Sequence, residues 1–401
     1  MPLPRVPSPA PSPSPVPIPV PIPAPIPVSA RLHFGHRLRH WREVHRLSQA
    51  ELGRRLGYDD SLISRIENAR RWPPPGLAVR ADALLGTGGE LTELWQPVRQ
   101  EREHLGALGP LGAPGAAGAV RPDAAALDVQ SGLLAVYRAA LGHIGGEDLT
   151  AVLEHHARIL AGWRPDARVL ALAARYAELA GWAHFDGDRP TRALAWYGRG
   201  LAWARAADDR AAVADLLARQ SSVHWWNGDP TTALALAGAA RSAALLLPAR
   251  PGVQAWAALA EAHAYGRAGA APDALRALAD AERLTAAALR AGEPSPWLAR
   301  AHLVLTVAHG TCHRDLAASL GRPSHARSAA AHLSTALTQL PPSTHPHDHA
   351  LVTARLATAH AHAGEPEAAT ALLAHLPPTP TGRTAHEARQ ARSLLSRVPT
   401  P

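Results

Sequence analysis

The stretch LSQAELGRRLGYDDSLISRIENARRWP, residues 47–73, decides how the first quarter of this chain folds. Ser48 stands three residues before Glu51, the reciprocal capping pair that starts a helix at Gln49. Leu52 and Leu56 then share one helix face at i, i+4 spacing. Gly57 is the residue that can end such a helix in a left-handed turn. Asp59 is placed to cap a second helix over 60–68, with Ile63 and Ile66 turned inward. The spacing thus predicts two short helices joined by a tight glycine turn, each with one apolar face for a shared core.

The flanks extend this pattern. HRLRHWRE before it and LAVRADALLGTGGELTELW after it are helical and amphipathic, which predicts five helices over 31–104. The basic charge of the chain is concentrated here. Between Arg31 and Arg71 ten arginines face five acids, a net +5 within an overall +8. No lysine occurs anywhere among the 401 residues, so arginine richness alone reflects codon bias as much as an anionic partner. Position matters more than number.

Over residues 33–95, HRLRHWRE, LSQAELGRRLG, SLISRIENARRWP and LAVRADALLGTGGELTELW together resemble the Xre (Cro/cI-type) helix-turn-helix transcriptional regulators. The resemblance implies that the second motif helix enters the major groove of operator DNA, with two copies of the chain spanning two half-sites. It implies an outward recognition face of Asp60, Ser61, Ser64 and Arg65, with Arg65 suited to bidentate contact with guanine. Gln49 would hold a phosphate or base edge, and Arg39, Arg54 and Arg70 would contact phosphates without reading sequence. Arg42 and Glu67 fall where the family carries a part-buried ion pair locking the first helix to the recognition helix. Asp60 departs from the neutral side chain common there. It reads either as a favourable charge at a helix N-terminus or as an acceptor for cytosine N4.

Outside this segment the composition changes. Residues 1–30 alternate proline with small apolar residues, which excludes a secretory helix and predicts a polyproline or unstructured tail. Val28, at its border, is a plausible alternative translation start. Residues 105–123, Gly/Ala/Pro-rich, read as a linker. From 124 to 397 the chain is Ala/Leu-rich and helical, and it repeats. GDRPTRAL at Gly187, GDPTTAL at Gly228 and GAAPDAL at Gly269 recur at 41-residue intervals, with looser copies at Gly321 and Gly364. Glycine ending one helix and proline opening the next predicts a solenoid of helix pairs. It resembles tetratricopeptide arrays with a period longer than the usual ~34 residues. Actinobacterial regulators of the same family carry such repeats behind the DNA-binding domain.

Large rings concentrate in these repeats. Most predict core, but Trp196, Trp225, Trp226 and Tyr265 are candidates to line a concave groove for a peptide or small molecule. Two histidine clusters, HGTCH (His309, Cys312, His313) and HPHDH (His345, His347, Asp348, His349), fall short of a recognised zinc pattern and read as packing or surface residues. No metal or cofactor is expected. No nucleotide loop or nucleophile elbow occurs, so catalysis is not expected either. A lone cysteine, Cys312, and the lack of a long uninterrupted apolar run predict a cytoplasmic protein. The expectation is an all-α regulator whose repeats sense a ligand or partner. The alternative is an interaction scaffold in which the N-terminal fold no longer reads an operator.

Overall fold

The computed structural model describes residues 30–67, 71–106, 121–140, 146–378, 380 and 382–397. Among them are 18 α-helices, one 3-10 turn and no strand. The expected proline tail (to residue 29), Arg70 and residues 107–120 of the expected linker lie outside the described residues.

The N-terminal unit comprises α1 (Ala30–Val44), α2 (Gln49–Leu56), α3 (Asp60–Glu67), α4 (Leu77–Leu85) and α5 (Glu90–Gly106). The capping box forms as the sequence predicts: Glu51 N donates to Ser48 Oγ at 3.1 Å, and Ser48 N donates to Glu51 Oε2 at 2.8 Å. Gly57 takes φ 77°, a left-handed conformation that a residue with a Cβ adopts only with strain, and so turns the chain sharply into α3. Phe34, Leu38, Leu52, Ile63, Ile66, Leu77 and Leu91 are fully buried between these helices. Each contributes roughly 1.5–3 kcal/mol by leaving water, enough to hold five short helices that would not persist alone. α1 crosses directly over the end of α3: a Cβ on Gly35 would stand 2.5 Å from the Ile66 carbonyl oxygen.

Behind it, α6 (Ala124–Ala140) and α7 (Gly146–Ala161) lead into five helix pairs. These are α8 (Ala167–Asp186) with α9 (Pro190–Ala206), α10 (Arg210–Trp226) with α11 (Pro230–Leu245), and α12 (Pro251–Arg267) with α13 (Ala271–Arg290). They continue with α14 (Ala301–Leu320) and α15 (Pro323–Thr338), then α16 (Pro346–Ala363) and α17 (Pro366–Ala374). The first helix of each pair packs on the first helix of the next, giving a stacked succession of α8, α10, α12, α14 and α16. Gly228, Gly269, Gly321 and Gly364 adopt φ between 63° and 80° at four of the five intra-pair turns. The first turn differs. Gly187 has φ −75°, and Asp188 takes the left-handed position at φ 55°. Aspartate tolerates that region better than most residues, and its carboxylate accepts the Trp226 indole N–H at 3.3 Å.

The last helix, α18 (Gly382–Leu395), does not extend the stack. It returns to α8 and α16 and buries Thr384, Glu387, Ala388 and Ala391. Its Arg383 donates to Asp186 Oδ1 of α8 at 2.7 Å, across 197 residues of chain. Its Glu387 receives Arg314 of α14 at 2.6 Å and Arg355 of α16 at 3.1 Å. α18 therefore packs against first helices of pairs that are far apart in sequence.

Candidate nucleic-acid interface

α3 separates its side chains by period. Ile63, Ile66 and Glu67 are buried, while Asp60, Ser61 and Arg65 are exposed and Ser64 is half-buried. Helical spacing alone produces this division, because positions 63, 66 and 67 share the face that meets α1 and α2. The outward groups are organised among themselves. Arg65 donates through Nη2 to Ser61 Oγ at 2.8 Å and through Nε to the Ser61 carbonyl at 3.1 Å. Ser61 Oγ in turn donates to Asp59 Oδ1 at 2.5 Å, and Leu62 N donates to the same oxygen at 2.6 Å. Asp59 thus caps α3 and holds the serine. Its carboxyl lies below the usual carboxylate range because the Ser61 hydroxyl and the Leu62 amide stabilise the charged form. Asp60 accepts the Ser61 amide at 2.8 Å, at the positive end of the helix. The Arg65 side chain is 51% exposed, so these contacts orient it without hiding it.

Beneath the exposed row sits one fully buried carboxylate. Glu67 receives Arg42 Nε at 2.6 Å on one oxygen and Arg42 Nη2 at 3.0 Å on the other. Arg42 also donates to the Leu47 carbonyl at 2.9 Å, so it ties α1, the α1–α2 turn and α3 together. The Arg42 guanidinium is held above its ordinary pKa, chiefly by its hydrogen bond to Glu67. Two residues expected at the DNA surface also join this cluster. Gln49 Nε2 donates to Glu67 Oε2 at 2.8 Å, and Arg39 Nε does so at 3.4 Å. Both side chains, expected at phosphates or a base edge, are half-buried and meet Glu67 here. A buried carboxylate at the helix crossing is a stronger acceptor than anything solvent offers, and it collects every donor in reach. Arg54 is exposed on α2, at a position from which it can reach outward.

A second carboxylate, missed by sequence reasoning, closes the rear of this unit. Glu90 at the start of α5 pairs with Arg37 and accepts the Trp41 indole N–H at 2.9 Å. Asp82 of α4 caps the same helix, accepting Leu91 N at 2.9 Å and Thr92 N at 2.8 Å. The signal available was slight: an acid in the first turn of α5 matches the helix dipole, but its partners lie about fifty residues upstream.

The four aromatic residues expected to line a groove do not surround an open one. Trp196 is 0% exposed, with its indole N–H on Glu154 at 3.2 Å. Trp225 donates to Asp315 Oδ2 at 2.6 Å, and the Trp226 ring lies 4.7 Å from the His386 ring of α18. Tyr265 packs half-buried against the core of α12–α14. Indole N–H groups find carboxylates here, and the Trp226 ring meets His386 of α18. The groove assignment is therefore replaced by a packed and hydrogen-bonded interior.

No helix among the described residues is long and apolar enough to cross a membrane. No curated protein and no solved structure matches the chain. A family model described as a helix-turn-helix domain matches residues 33–95, the segment from α1 to the first turns of α5. Residues 33–95 of this all-helical chain form a helix-turn-helix domain, set ahead of a stack of helix pairs.

Proposed function

We propose that this chain is a sequence-specific DNA-binding transcriptional regulator of the Xre (Cro/cI) type rather than an enzyme, acting in the cytoplasm. α3 would lie in the major groove of duplex operator DNA. Arg65 and Ser61 would release their mutual hydrogen bonds to reach base edges, with guanine the fitting partner for Arg65. Ser64 and Asp60 would complete the recognition face, while Arg54 and Arg70 would hold phosphates. Two copies would bind as a homodimer on paired half-sites. The tetratricopeptide-like stack would serve as the sensing half, responding to a small molecule, peptide or protein partner. α5 touches α9, which provides a mechanical route between the two halves.

The observation that carries this reading is the exposed Ser61–Arg65 row standing directly over the buried Arg42–Glu67 lock. A helix presented outward and braced from behind is what groove recognition requires. The test is a salt-titrated binding measurement on duplex DNA from upstream of the chain's own gene, against a scrambled duplex. Preferential binding to the upstream duplex that Arg65→Ala abolishes supports base reading. Equal, weak binding to both duplexes by the unaltered protein would instead leave the N-terminal domain as a packing module of a scaffold.

A further inference from the structure

The HGTCH segment does not act as one cluster. On α14, Cys312 is fully buried and its thiol points to the Ala262 carbonyl of α12 at 3.4 Å. His309 and His313, four residues apart, face the other way, toward α15. There they meet His332, a residue far along the chain that the sequence pattern did not connect to them. One ring nitrogen from each of the three lies within 4.8 Å of the other two, and all three rings are half-buried. The helices come this close because Gly310 lies between the two histidines of α14. A Cβ there would stand 2.6 Å from Leu333 Cγ, beside His332.

We propose that His309, His313 and His332 form a binding site for a divalent transition-metal ion, with Zn2+ as the fitting member. Three neutral imidazoles are the donor set that suits zinc and its first-row neighbours, and they disfavour magnesium or calcium, which want oxygen. A tetrahedral zinc with bonds of ~2.0–2.1 Å needs its nitrogens about 3.3 Å apart. The His309 and His332 rings stack at 5.0 Å and the His313 and His332 rings at 5.9 Å, so ligation would require the rings to rotate about their side-chain bonds. Metal-bound histidines ordinarily carry a hydrogen-bond partner on the second ring nitrogen, which fixes the tautomer. Two of the three rings carry such nitrogen partners. His309 Nε2 lies 2.9 Å from Glu282 Oε1 of α13, and His313 Nδ1 lies 3.0 Å from His325 Nδ1 of α15. Water or a ligand of solution origin would take the fourth position, the three histidines being only half-buried. A bound ion would staple α14 to α15 and tie in α13 through Glu282. The site stands independently of the DNA-binding reading.

The test uses the untagged full-length chain, stripped with chelator and titrated with Zn2+ alone by calorimetry, and with Co2+ by visible absorption. The expected result is one Zn2+ per chain, Co2+ bands of a low-coordinate nitrogen site, and a zinc-dependent rise in melting temperature. His332→Gln and His313→Gln should each remove the stoichiometric phase and the melting shift. His345→Gln, in the proline-flanked turn before α16, should leave both unchanged. Circular dichroism checks that each variant remains folded, and His309→Gln replaces any that does not. Absence of stoichiometric zinc binding by the unaltered chain would overturn the site. So would undiminished binding in folded His332→Gln and His313→Gln.

Discussion

Two buried glutamates, one in each half of the molecule, solve the same electrostatic problem by different routes. Glu67 and Glu387 are both fully buried, and both are neutralised by two arginines. Glu67 draws its partners from α1, 25 and 28 residues away. Glu387 draws Arg355 from 32 residues away and Arg314 from 73, reaching across α16 and α14. Burial alone would raise the Glu387 carboxyl, but Arg314 and Arg355 outweigh it and hold the group below its ordinary value. The first hub braces a surface that must stay outward. The second seals an interior, and it links outward to Asp315, which also receives Trp225. A local hub organises a domain; a distant one closes an array.

The largest expected effect comes from breaking either hub by one residue. Glu387→Ala leaves the buried Arg355 without a counter-charge beside Arg314, which keeps only Asp315, and should cost about 3–5 kcal/mol in the stability of the repeat stack. Glu67→Ala should cost a similar ~3–5 kcal/mol, but confined to the N-terminal domain. Two separate thermal transitions, each shifted by only one variant, would confirm the division. A shift of both transitions by either variant would erase it. Next in size is Arg65→Ala, expected to weaken operator binding by about 1–3 kcal/mol while sparing random duplex. Equal losses on both duplexes would move Arg65 from base reading to phosphate holding. Smaller again, Arg54→Ala should weaken binding to every duplex alike and lower the slope of log affinity against log salt by about one unit. An unchanged slope would remove Arg54 from the DNA surface.

The smallest effect concerns pH. His347 Nε2 lies 2.8 Å from Asp186 Oδ2, and contact with that carboxylate raises its pKa above the ordinary value despite burial. Arg383 and Asp348 also act on it, the first lowering and the second raising the value. A raised folded pKa means that the contribution is complete below the unfolded value of about 6.5. It is lost as pH climbs through the folded value. The melting temperature of the repeat stack should therefore fall modestly between pH 6 and pH 8.5, and His347→Gln should flatten that dependence. A steeper fall in the variant would point to a different titrating group.

The N-terminal domain was legible because its determinants are local and chemical. A capping box, a left-handed glycine and inward isoleucines at helical spacing leave few alternatives over 48–66. The register of Arg42 against Glu67 was available only through family resemblance, since nothing in the spacing states that two residues 25 apart will touch. The contacts of Gln49 and Arg39 with Glu67 were hidden for a related reason: their chemistry suits phosphate equally well, and only the crossing of α1, α2 and α3 brings them to that carboxylate. In the repeats, the turns announced helix pairs, and the proline at each second-helix start marked their boundaries. What did not show was where the last helix goes. GRTAHEARQARSLL reads as an ordinary amphipathic end, and its partners Asp186, Arg314 and Arg355 are scattered over the preceding two hundred residues. The three histidines facing one another on α14 and α15 were hidden likewise, since His332 carries no motif.

The return of α18 onto α8 has a consequence for how this array assembles. Open solenoids can nucleate at any repeat and grow by neighbour contacts, so their stability scales with repeat number. Here the two ends are clasped by Arg383 on Asp186 and Arg389 on Asp188, contacts that exist only once nearly the whole stack is in place. Such late, long-range contacts slow folding and make unfolding more nearly all-or-none. Deleting one internal pair would misalign the clasp rather than shorten a ruler, so this array should tolerate duplication and loss of repeats far less readily than its periodic sequence suggests.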